Sequence, residues 1–299
     1  MKNRKRVDMK KSANLLIFGY ILLLLVSSCA AKKNQYAKTN KVHTQHVEEA
    51  AETIKKPLPP PQLPVDSSSP SPEVFVADVE GKRSDLDWVG TVNFDMRRPS
   101  YVIIHHTAQQ SLEQTIRTFT LEHAQVSSHY VIGRDGRTVQ MLNDYLRAWH
   151  AGASKWGKVT DMNSQSIGIE LDNNGREPFT NVQIKSLLRL LDTLKTNYRI
   201  PKENFIGHSD IAPTRKQDPS VHFPWKTLAD HGFGLWYENP LPVPPANFNP
   251  GMALQIIGYD TRNLNAAIVA FKRHYIQSDI SPELTPFDLR VLYSIYLQQ

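Results

Sequence analysis

Two proline-rich segments limit where this chain of 299 residues can fold. Residues 57–72 contain seven prolines and four serines, and residues 239–250 read NPLPVPPANFNP. Proline lacks a backbone N–H and favours extended backbone, so both stretches indicate spacers rather than parts of a packed core. The spacers leave residues 76–238 and 251–299 as the segments that we predict to fold. The hydrophobic content of 40% is sufficient for a core there.

The N-terminus has the composition of a targeting segment. Six Lys and Arg residues precede an apolar run of 12 residues, 15–26, which is short for a membrane span of about 20 residues. The run ends in VSSC, which resembles a bacterial lipobox, and Cys29 is the single cysteine of the chain. We therefore interpret residues 1–29 as a lipoprotein signal peptide and Cys29 as the lipidated residue. An ordinary signal peptide with an incidental cysteine and an uncleaved anchor are the alternatives.

The lipobox interpretation predicts a protein of the bacterial cell envelope that acyl chains tether to a membrane. Residues 30–75 are polar and rich in Pro and Ser, and we predict an unstructured tether that lets the folded part reach away from its membrane. No aspartate follows Cys29 in Ala30, Ala31 and Lys32, so retention at the inner membrane is not indicated. The outer membrane, facing the periplasm, is the predicted location.

Cysteine content and charge exclude several classes of protein. One cysteine permits neither an intrachain disulfide nor a metal site built from thiolates. The net charge is +6, and beyond the N-terminus the basic residues are scattered, which argues against a nucleic-acid-binding protein. A mildly basic surface suits an anionic polymer such as a cell wall.

Residues 76–238 have the pattern of a mixed α/β domain. The apolar runs in YVIIHHT and SIGIELD indicate strands, and SSHYVIGRDGRTVQML indicates a hairpin that turns at Asp135-Gly136. Two helices are expected to start at Ser111 and Thr180, each followed three residues later by a glutamine that would complete a capping box. We predict a mixed central sheet flanked by helices.

Polar residues lie at the ends of the predicted strands. His105 and His106 end one strand, His208 ends another, and His129 starts a third. Glu170 lies inside an apolar run, where a carboxylate is costly unless it is paired or functional. Strand ends that project imidazole and carboxylate groups into one groove can build a zinc site with three protein ligands. On this pattern alone, a single histidine is more often a packed, hydrogen-bonded residue than a ligand.

Five motifs in order, IIHHT, SSHYVIGRDG, AWHAG, SIGIELDN and GHSDIAPTRKQDPSVHFPW, together resemble the zinc-dependent N-acetylmuramoyl-L-alanine amidases of the amidase-2 type. That family includes the peptidoglycan recognition proteins, and the chain resembles in particular the lipoprotein amidases of Gram-negative outer membranes. The resemblance covers about residues 100–236. It implies hydrolysis of the amide bond between N-acetylmuramic acid and the L-alanine of peptidoglycan stem peptides, in cell-wall turnover.

The resemblance also implies roles for individual residues. His105, His208 and Asp218 match the positions that bind one Zn²⁺ per chain, and Glu170 matches the general base that then delivers a proton to the leaving amine. Lys216 is expected to stabilise the tetrahedral oxyanion. Because these positions all carry the expected residue types, an enzyme is favoured over a non-catalytic peptidoglycan receptor on the same fold. The order of the motifs disfavours a different zinc hydrolase, such as a peptidase.

Further residues are candidates for substrate contact. Trp149 and His150 of AWHAG are expected to line the groove. His129 is open between substrate contact and structural packing, and Arg215 is open between pairing with a stem-peptide carboxylate and a structural role. His106 should face the other side of its strand from the predicted ligand beside it, and packing or groove lining is its predicted role.

Residues 251–299 resemble the small three-helix peptidoglycan-binding domain, chiefly through AIVAFKRHY. We predict two amphipathic helices, one in NAAIVAFKRHY and one that begins at Thr285 and Pro286. The alternative is a helical appendage that only packs on the preceding domain. The predicted partners are peptidoglycan or muropeptides and a membrane, through the lipid anchor, with no nucleic acid. We expect a monomer.

Overall fold

The computed structural model describes residues 37–54 and 98–299. The predicted signal peptide with Cys29, the rest of the predicted tether and residues 76–97 lie outside the described residues. The two described stretches belong to separate compact units. Among the residues that are described, no helix combines the length and the apolar character that a membrane crossing requires.

The first described stretch is a helix, α1 (Ala37–Ile54). The sequence predicted an unstructured tether here, and for this stretch that prediction is wrong. It followed from the lack of an apolar stripe. The 18 residues contain no proline or glycine, however, and many of them are Ala, Gln, Glu or Lys, whose intrinsic helix propensity is high. Backbone propensity therefore explains this helix without any packed face.

The second unit is built on a mixed sheet. Its strands are β1 (Tyr101–His106), β2 (Tyr130–Ile132), β3 (Thr138–Gln140), β4 (Ser166–Leu171) and β5 (Phe205–Gly207). The strand order is β3-β2-β4-β1-β5, in which β3 pairs antiparallel with β2 and the other neighbours are parallel. The predicted hairpin is confirmed, and Gly136 in its turn has a φ of 81°, which glycine adopts readily.

Helices flank this sheet and follow it. They are α2 (Leu112–Phe119), α3 (Asn181–Tyr198), α4 (His208–Ile211), α5 (Trp225–Asp230), α6 (Pro250–Ile257), α7 (Leu264–Tyr275) and α8 (Pro286–Tyr296). Short 3-10 turns occur at Glu122–Ala124, Met162–Ser164 and Lys202–Asn204. The predicted fold, a mixed sheet with flanking helices and a helical C-terminal part, is confirmed.

The predicted helix starts are correct, although the capping boxes are not. Ser111 and Thr180 each accept a hydrogen bond from the backbone N–H three residues later. The side chain of Gln114 instead accepts from the N–H of Gln110, and that of Gln183 donates to two buried backbone carbonyls. Tertiary partners thus replaced the local partners that the sequence spacing suggested.

The core lies on both faces of the sheet. One face of α3 packs with the apolar side chains of β1 and β4. The buried apolar residues on this face are Ile184, Leu187, Leu191 and Leu194. Burying each such side chain contributes about 1.5–3 kcal/mol. A smaller cluster that includes Ile103, Met162 and Ile206 covers the other face. Parallel strands covered on both faces place the polar strand ends at a common edge.

The C-terminal helices α6, α7 and α8 pack around their own core and against the residues that carry the sheet. Their buried residues include Leu254, Phe271 and Leu292. Gln277 donates two hydrogen bonds to backbone carbonyls between β5 and α5, at 2.9 and 2.7 Å. The proline-rich segment 239–250 lies inside this compact unit. Binding of peptidoglycan by these helices stays a prediction.

Candidate active site

The central strands bring the predicted site residues to one edge of the sheet. In the parallel pair of β1 and β4, His105 is the register partner of Glu170. β5, on the other side of β1, ends at Gly207, and His208 is the first residue of α4 rather than the last residue of a strand, as the sequence had suggested. This turn from strand to helix directs His208 toward the end of β1.

Three side-chain atoms converge at this edge. His105 Nδ1 lies 2.9 Å from His208 Nδ1 and 3.1 Å from Asp218 Oδ2, and His208 Nδ1 lies 3.0 Å from Asp218 Oδ2. The two imidazoles are buried, and the Asp218 side chain is 14% exposed. The structure thus brings together the three predicted ligands, although they are up to 113 residues apart in the chain.

Hydrogen bonds on the far side of the His208 ring fix its tautomer. His208 Nε2 lies 3.1 Å from the carbonyl oxygen of Ala151, which can only accept, and 3.5 Å from Arg215 Nη2, which can only donate; the shorter contact assigns the proton to Nε2. The Nδ1 atom of a neutral imidazole then presents a lone pair to the centre. Orientation of a ligating histidine by a backbone carbonyl is common at metal sites.

A chain of hydrogen bonds fixes the His105 tautomer in the same way. Ser166 Oγ donates to the carbonyl of Met162 at 2.6 Å, so it accepts from His150 Nε2 at 3.3 Å. His150 Nδ1 is then free to accept from His105 Nε2 at 3.1 Å. Burial, followed by the neighbouring His208, lowers the pKa of His105 to about 4, so this imidazole is neutral. Its Nδ1 lone pair also points to the centre.

Two imidazole nitrogens and one carboxylate oxygen therefore meet with no proton left to bridge them. Three acceptors about 3 Å apart repel one another unless a cation lies between them. The donor set of two nitrogens and one oxygen is one that Zn²⁺ uses when a coordination position stays open for chemistry. On this observation the residues fit the zinc ion that the family resemblance implies.

Glu170 lies next to this cluster, and its Oε2 atom has no hydrogen bond to another described residue. Its Oε1 is 4.0 Å from His105 Nδ1, and its Oε2 is buried with no partner among the described residues. Burial, and secondarily the charge of Asp218, raises the pKa of Glu170 to about 8, while Lys216 opposes the rise. A carboxyl that can take up a proton near neutral pH has the property required of a general base.

A groove of about 310 Å³ opens over these groups. Its walls include Gln109, Phe119, Val126, Trp149 and Lys216. Trp149 is 53% exposed although it is the largest apolar side chain there, so it offers a ring face to whatever enters the groove. The predicted groove position of Trp149 is thus observed, Lys216 also lies in the groove wall, and the roles of both residues stay predictions.

His129 does not reach the groove. It is fully buried, its Nε2 lies 2.9 Å from the carbonyl of Leu146, and its Nδ1 accepts from the N–H of Gly168 at 3.0 Å. With both ring nitrogens bonded to backbone, no atom of this imidazole is available to a substrate. The prediction of His129 as a substrate-binding residue is wrong, and the structural interpretation applies.

His150 and Arg215 also act on protein groups. His150 lines the groove, as predicted, although it is only 8% exposed and its Nδ1 lies 3.1 Å from His105 Nε2. Arg215 donates to the carbonyls of Ala151 and Ala153, at 2.6 and 2.9 Å from Nη2. The first of these carbonyls also orients His208. Arg215 thus supports the loop that fixes a predicted ligand, and its pairing with a substrate carboxylate stays a prediction.

Ser166 and Gly168 are functional positions that the sequence analysis missed. Ser166, Gly168 and Glu170 are two residues apart on β4, so all three lie on the same face of the strand. A Cβ atom at Gly168 would lie 2.5 Å from the His150 ring, so only glycine leaves room for that imidazole. The small residues two and four positions before Glu170 were the available signal, because a buried strand normally fills its inward positions with large side chains.

Comparison with protein families shows that residues 95–221 match the Amidase_2 model, described as N-acetylmuramoyl-L-alanine amidase. The chain is 33% identical over 209 residues to N-acetylmuramoyl-L-alanine amidase AmiD of Escherichia coli (strain K12), covering 64% of this chain and 71% of the relative. It is 34% identical over 175 residues to 1,6-anhydro-N-acetylmuramyl-L-alanine amidase AmpD of Haemophilus influenzae, covering 50% of this chain and 95% of the relative.

A solved structure shows the same fold. The complex of the E. coli amidase AmiD with anhydro-N-acetylmuramic acid-L-Ala-D-gamma-Glu-L-Lys superimposes with a TM-score of 0.62 at 29% sequence identity. The match covers 73% of this chain and 96% of that chain. The similarity therefore extends beyond the sheet domain that the family model matches.

Proposed function

The chain belongs to the Amidase_2 family of N-acetylmuramoyl-L-alanine amidases, and from this premise we propose that it cleaves the bond between N-acetylmuramic acid and L-alanine of peptidoglycan stem peptides in a zinc-dependent reaction. One observation carries the zinc dependence. The unprotonated atoms of His105, His208 and Asp218 meet within about 3 Å, beside Glu170, whose buried Oε2 has no partner among the described residues.

A zinc ion held by these three ligands supplies Lewis-acid activation of water and of the scissile carbonyl. Glu170 takes one proton from the attacking water, whose oxygen forms the new bond to the carbonyl carbon. The same carboxyl then gives this proton to the amide nitrogen as the C–N bond breaks and L-alanine leaves as an amine. In the metal-free protein, burial raises the pKa of Glu170 to about 8, so this carboxyl takes up a proton more readily than an exposed one.

Lys216 supports the charge that develops in this reaction. It lines the groove, and its ammonium acts electrostatically on both Glu170 and His105. We assign it the stabilisation of the tetrahedral oxyanion. The non-catalytic receptor is disfavoured, because a receptor has no use for a buried, unpaired carboxylate that destabilises the fold.

We propose muropeptides as the substrate class. The solved complex of the similar E. coli enzyme contains an anhydro-muropeptide with a tripeptide stem. We place the activity in the bacterial cell envelope, on a protein anchored through Cys29 and facing the periplasm. Support for this location comes from the N-terminal sequence, with its cationic start, apolar run and VSSC ending.

Metal removal with mass spectrometry of the products tests the proposal. Purified protein is incubated with a defined mixture of muropeptides before chelation, after chelation and after addition of stoichiometric Zn²⁺. We expect free stem peptides and N-acetylmuramic acid products, loss of both on chelation and recovery with Zn²⁺. Unchanged release from protein whose metal content has been shown to be negligible would contradict the zinc mechanism. Binding without release would favour the receptor.

A further inference from the structure

A buried carboxylate, Asp210, lies on the ligand segment two residues after His208. It is 1% exposed, and both of its oxygens are bonded. Oδ2 accepts from the N–H of Gly207 at 2.7 Å and from His274 Nδ1 at 2.8 Å, and Oδ1 accepts from the hydroxyl of Tyr259 at 2.8 Å. Two of the three donors thus come from the C-terminal helical part, 49 and 64 residues further along the chain.

Packing holds the two distant donors in place. Tyr259 and His274 are each 2% exposed. The His274 ring stacks on Trp225 of α5, with 3.8 Å between ring centroids, and on Tyr275, at 4.1 Å. An imidazole between two parallel rings has little freedom to swing away from Asp210. The donors are therefore pre-positioned rather than recruited.

The carboxylate of Asp210 in turn fixes the backbone around both ligands of this segment. It bonds the N–H of Gly207, the residue directly before His208. A Cβ at Gly207 would lie 2.9 Å from Pro219, the residue directly after Asp218. The backbone segments that carry His208 and Asp218 are therefore in close contact. Ser209 N–H also donates to the carbonyl of Asp218 at 2.7 Å.

The helix that carries His208 cannot hold this geometry alone. α4 has four residues, and a helix of one turn is unstable without tertiary contacts. Its principal contacts outside the sheet are with α7, the helix that carries His274. The orientation of the His208 ring therefore depends on whether Asp210 keeps its partners.

We infer that Tyr259 and His274 are positioning residues for the metal centre, through which the C-terminal helices hold His208 and Asp218 in ligating geometry by binding Asp210. The inference rests on the proposed function, because the positions of His208 and Asp218 matter in this way only if these two residues bind zinc. It gives the C-terminal helices a role in the catalytic part of the molecule that is independent of any binding of peptidoglycan by them.

Tyr259→Phe removes one hydroxyl and tests this role with the least disturbance. Tyr275→Phe is the matched control, since Tyr275 is 5% exposed in the same helical part and its hydroxyl makes no hydrogen bond to another described residue. The measurement is the Zn²⁺ dissociation constant of the full chain, by chelator competition, together with the absorption spectrum of the Co²⁺-loaded protein. We expect roughly tenfold weaker Zn²⁺ binding for Tyr259→Phe, at the lower end of the effect of supporting groups around metal ligands. The control should bind like the wild type.

A pair of substitutions at His274 separates positioning from stability. His274→Phe keeps the stacked ring and loses the donor, whereas His274→Asn keeps a donor near Asp210 and loses the stack. We expect His274→Phe to weaken Zn²⁺ binding about tenfold or more and to change the Co²⁺ spectrum, with Zn²⁺ binding largely rescued in His274→Asn. Unfolding midpoints of the metal-free variants report stability separately.

The outcomes distinguish the inference from the proposed function. A wild-type protein that binds no Zn²⁺ would overturn the proposed function and this inference with it. Wild-type binding together with an unchanged dissociation constant and Co²⁺ spectrum for Tyr259→Phe would overturn the inference alone, even if that variant melts at a lower temperature. Equal weakening in Tyr259→Phe and Tyr275→Phe would have the same consequence.

Discussion

Two carboxylates near the predicted metal ligands have opposite surroundings: Asp210 is 1% exposed, and the Glu170 side chain is 13% exposed at the groove. Asp210, on the side of the C-terminal helices, accepts three hydrogen bonds from donors that are themselves buried. Glu170, on the side of the groove, has one oxygen with no partner among the described residues, and burial raises its pKa to about 8. The first carboxylate is satisfied and holds structure. Glu170 lacks a hydrogen-bond partner at Oε2, which costs stability and suits the proton transfers that we propose for it.

The largest expected effect is on turnover when Glu170 becomes glutamine. Glu170→Gln preserves the shape of the side chain but cannot take up a proton, so kcat should fall by about 10²–10⁴-fold, the usual contribution of a general base. Steady-state kinetics with a muropeptide substrate measures this change. Zn²⁺ content should remain at one per chain, because Glu170 is not among the three converging ligands.

Thermodynamic stability provides the control for that substitution. Since the Oε2 atom of Glu170 is buried without a partner among the described residues, the free energy of unfolding of Glu170→Gln should equal or exceed that of the wild type. A variant that keeps full activity would remove Glu170 from the mechanism. A variant that unfolds much more easily would show that Glu170 has structural partners, which would erase the contrast with Asp210.

The second largest effect is expected on stability, when Asp210 is replaced by alanine. Asp210→Ala leaves the hydroxyl of Tyr259, the ring of His274 and the N–H of Gly207 buried without their acceptor. We expect the metal-free protein to lose about 3–5 kcal/mol of unfolding free energy in denaturant titrations, as when one partner of a buried charged network is removed. Asp210→Asn, which retains one acceptor, should lose less. A loss under about 1 kcal/mol for the alanine variant would mean that the cluster is not a structural support.

The third effect is a pH dependence of stability in the metal-free protein. The folded pKa of Glu170, about 8, lies above its ordinary value of 4.5. A carboxyl raised in this way contributes stability that is complete below pH 4.5 and is lost as pH rises through 8. The unfolding free energy of the wild type should therefore fall, relative to Glu170→Gln, by about 4 kcal/mol between pH 5 and pH 9. Parallel pH curves for the two proteins would contradict the raised pKa.

The smallest effect is expected at the rim of the groove. Trp149 is 53% exposed, so Trp149→Ala removes little packing and should leave the unfolding free energy nearly unchanged. Loss of a ring that contacts substrate should raise KM about 3–10-fold, the equivalent of roughly 1 kcal/mol, with a small change in kcat. Tyr145→Ala, at a residue that is 51% exposed and outside the groove, is the control and should leave KM unchanged.

The hydrophobic pattern predicted strands next to the predicted ligands, but the strand order that brings these residues together was not predicted. His105 and Glu170 are register partners on neighbouring strands, and His208 and Asp218 lie in one motif. The motif resemblance supplied the assignment of roles, since the pattern alone left each histidine more compatible with packing than with ligation. His129 shows why, because it also lies beside a strand and is bonded entirely to backbone.

The support of the site was not predictable from local sequence. The two distant partners of Asp210 lie 49 and 64 residues away, Tyr259 between α6 and α7 and His274 on α7, and nothing in the local sequence marks either as a partner. The Arg215 contact with Ala151 likewise spans 64 residues. From the sequence alone, a charged residue with a distant structural partner cannot be distinguished from one that is solvent-exposed or binds substrate. The helix at Ala37–Ile54 was missed for the opposite reason, since no packing pattern marks it.

The register pairing of His105 with Glu170 also bears on how such a protein can diverge. Adjacent strands in a sheet lie about 4.8 Å apart whatever the chain does elsewhere. The spacing between a predicted ligand and the predicted base is therefore set by backbone hydrogen bonds and is insensitive to the length of residues 107–129, which join β1 to β2 and carry the groove residues Gln109, Phe119 and Val126. Insertions, deletions or exchanged loops in that connection can reshape the groove and its preferred muropeptide while the reacting groups keep their separation. Grafting the connection of a relative onto this sheet should accordingly alter substrate choice before it alters chemistry.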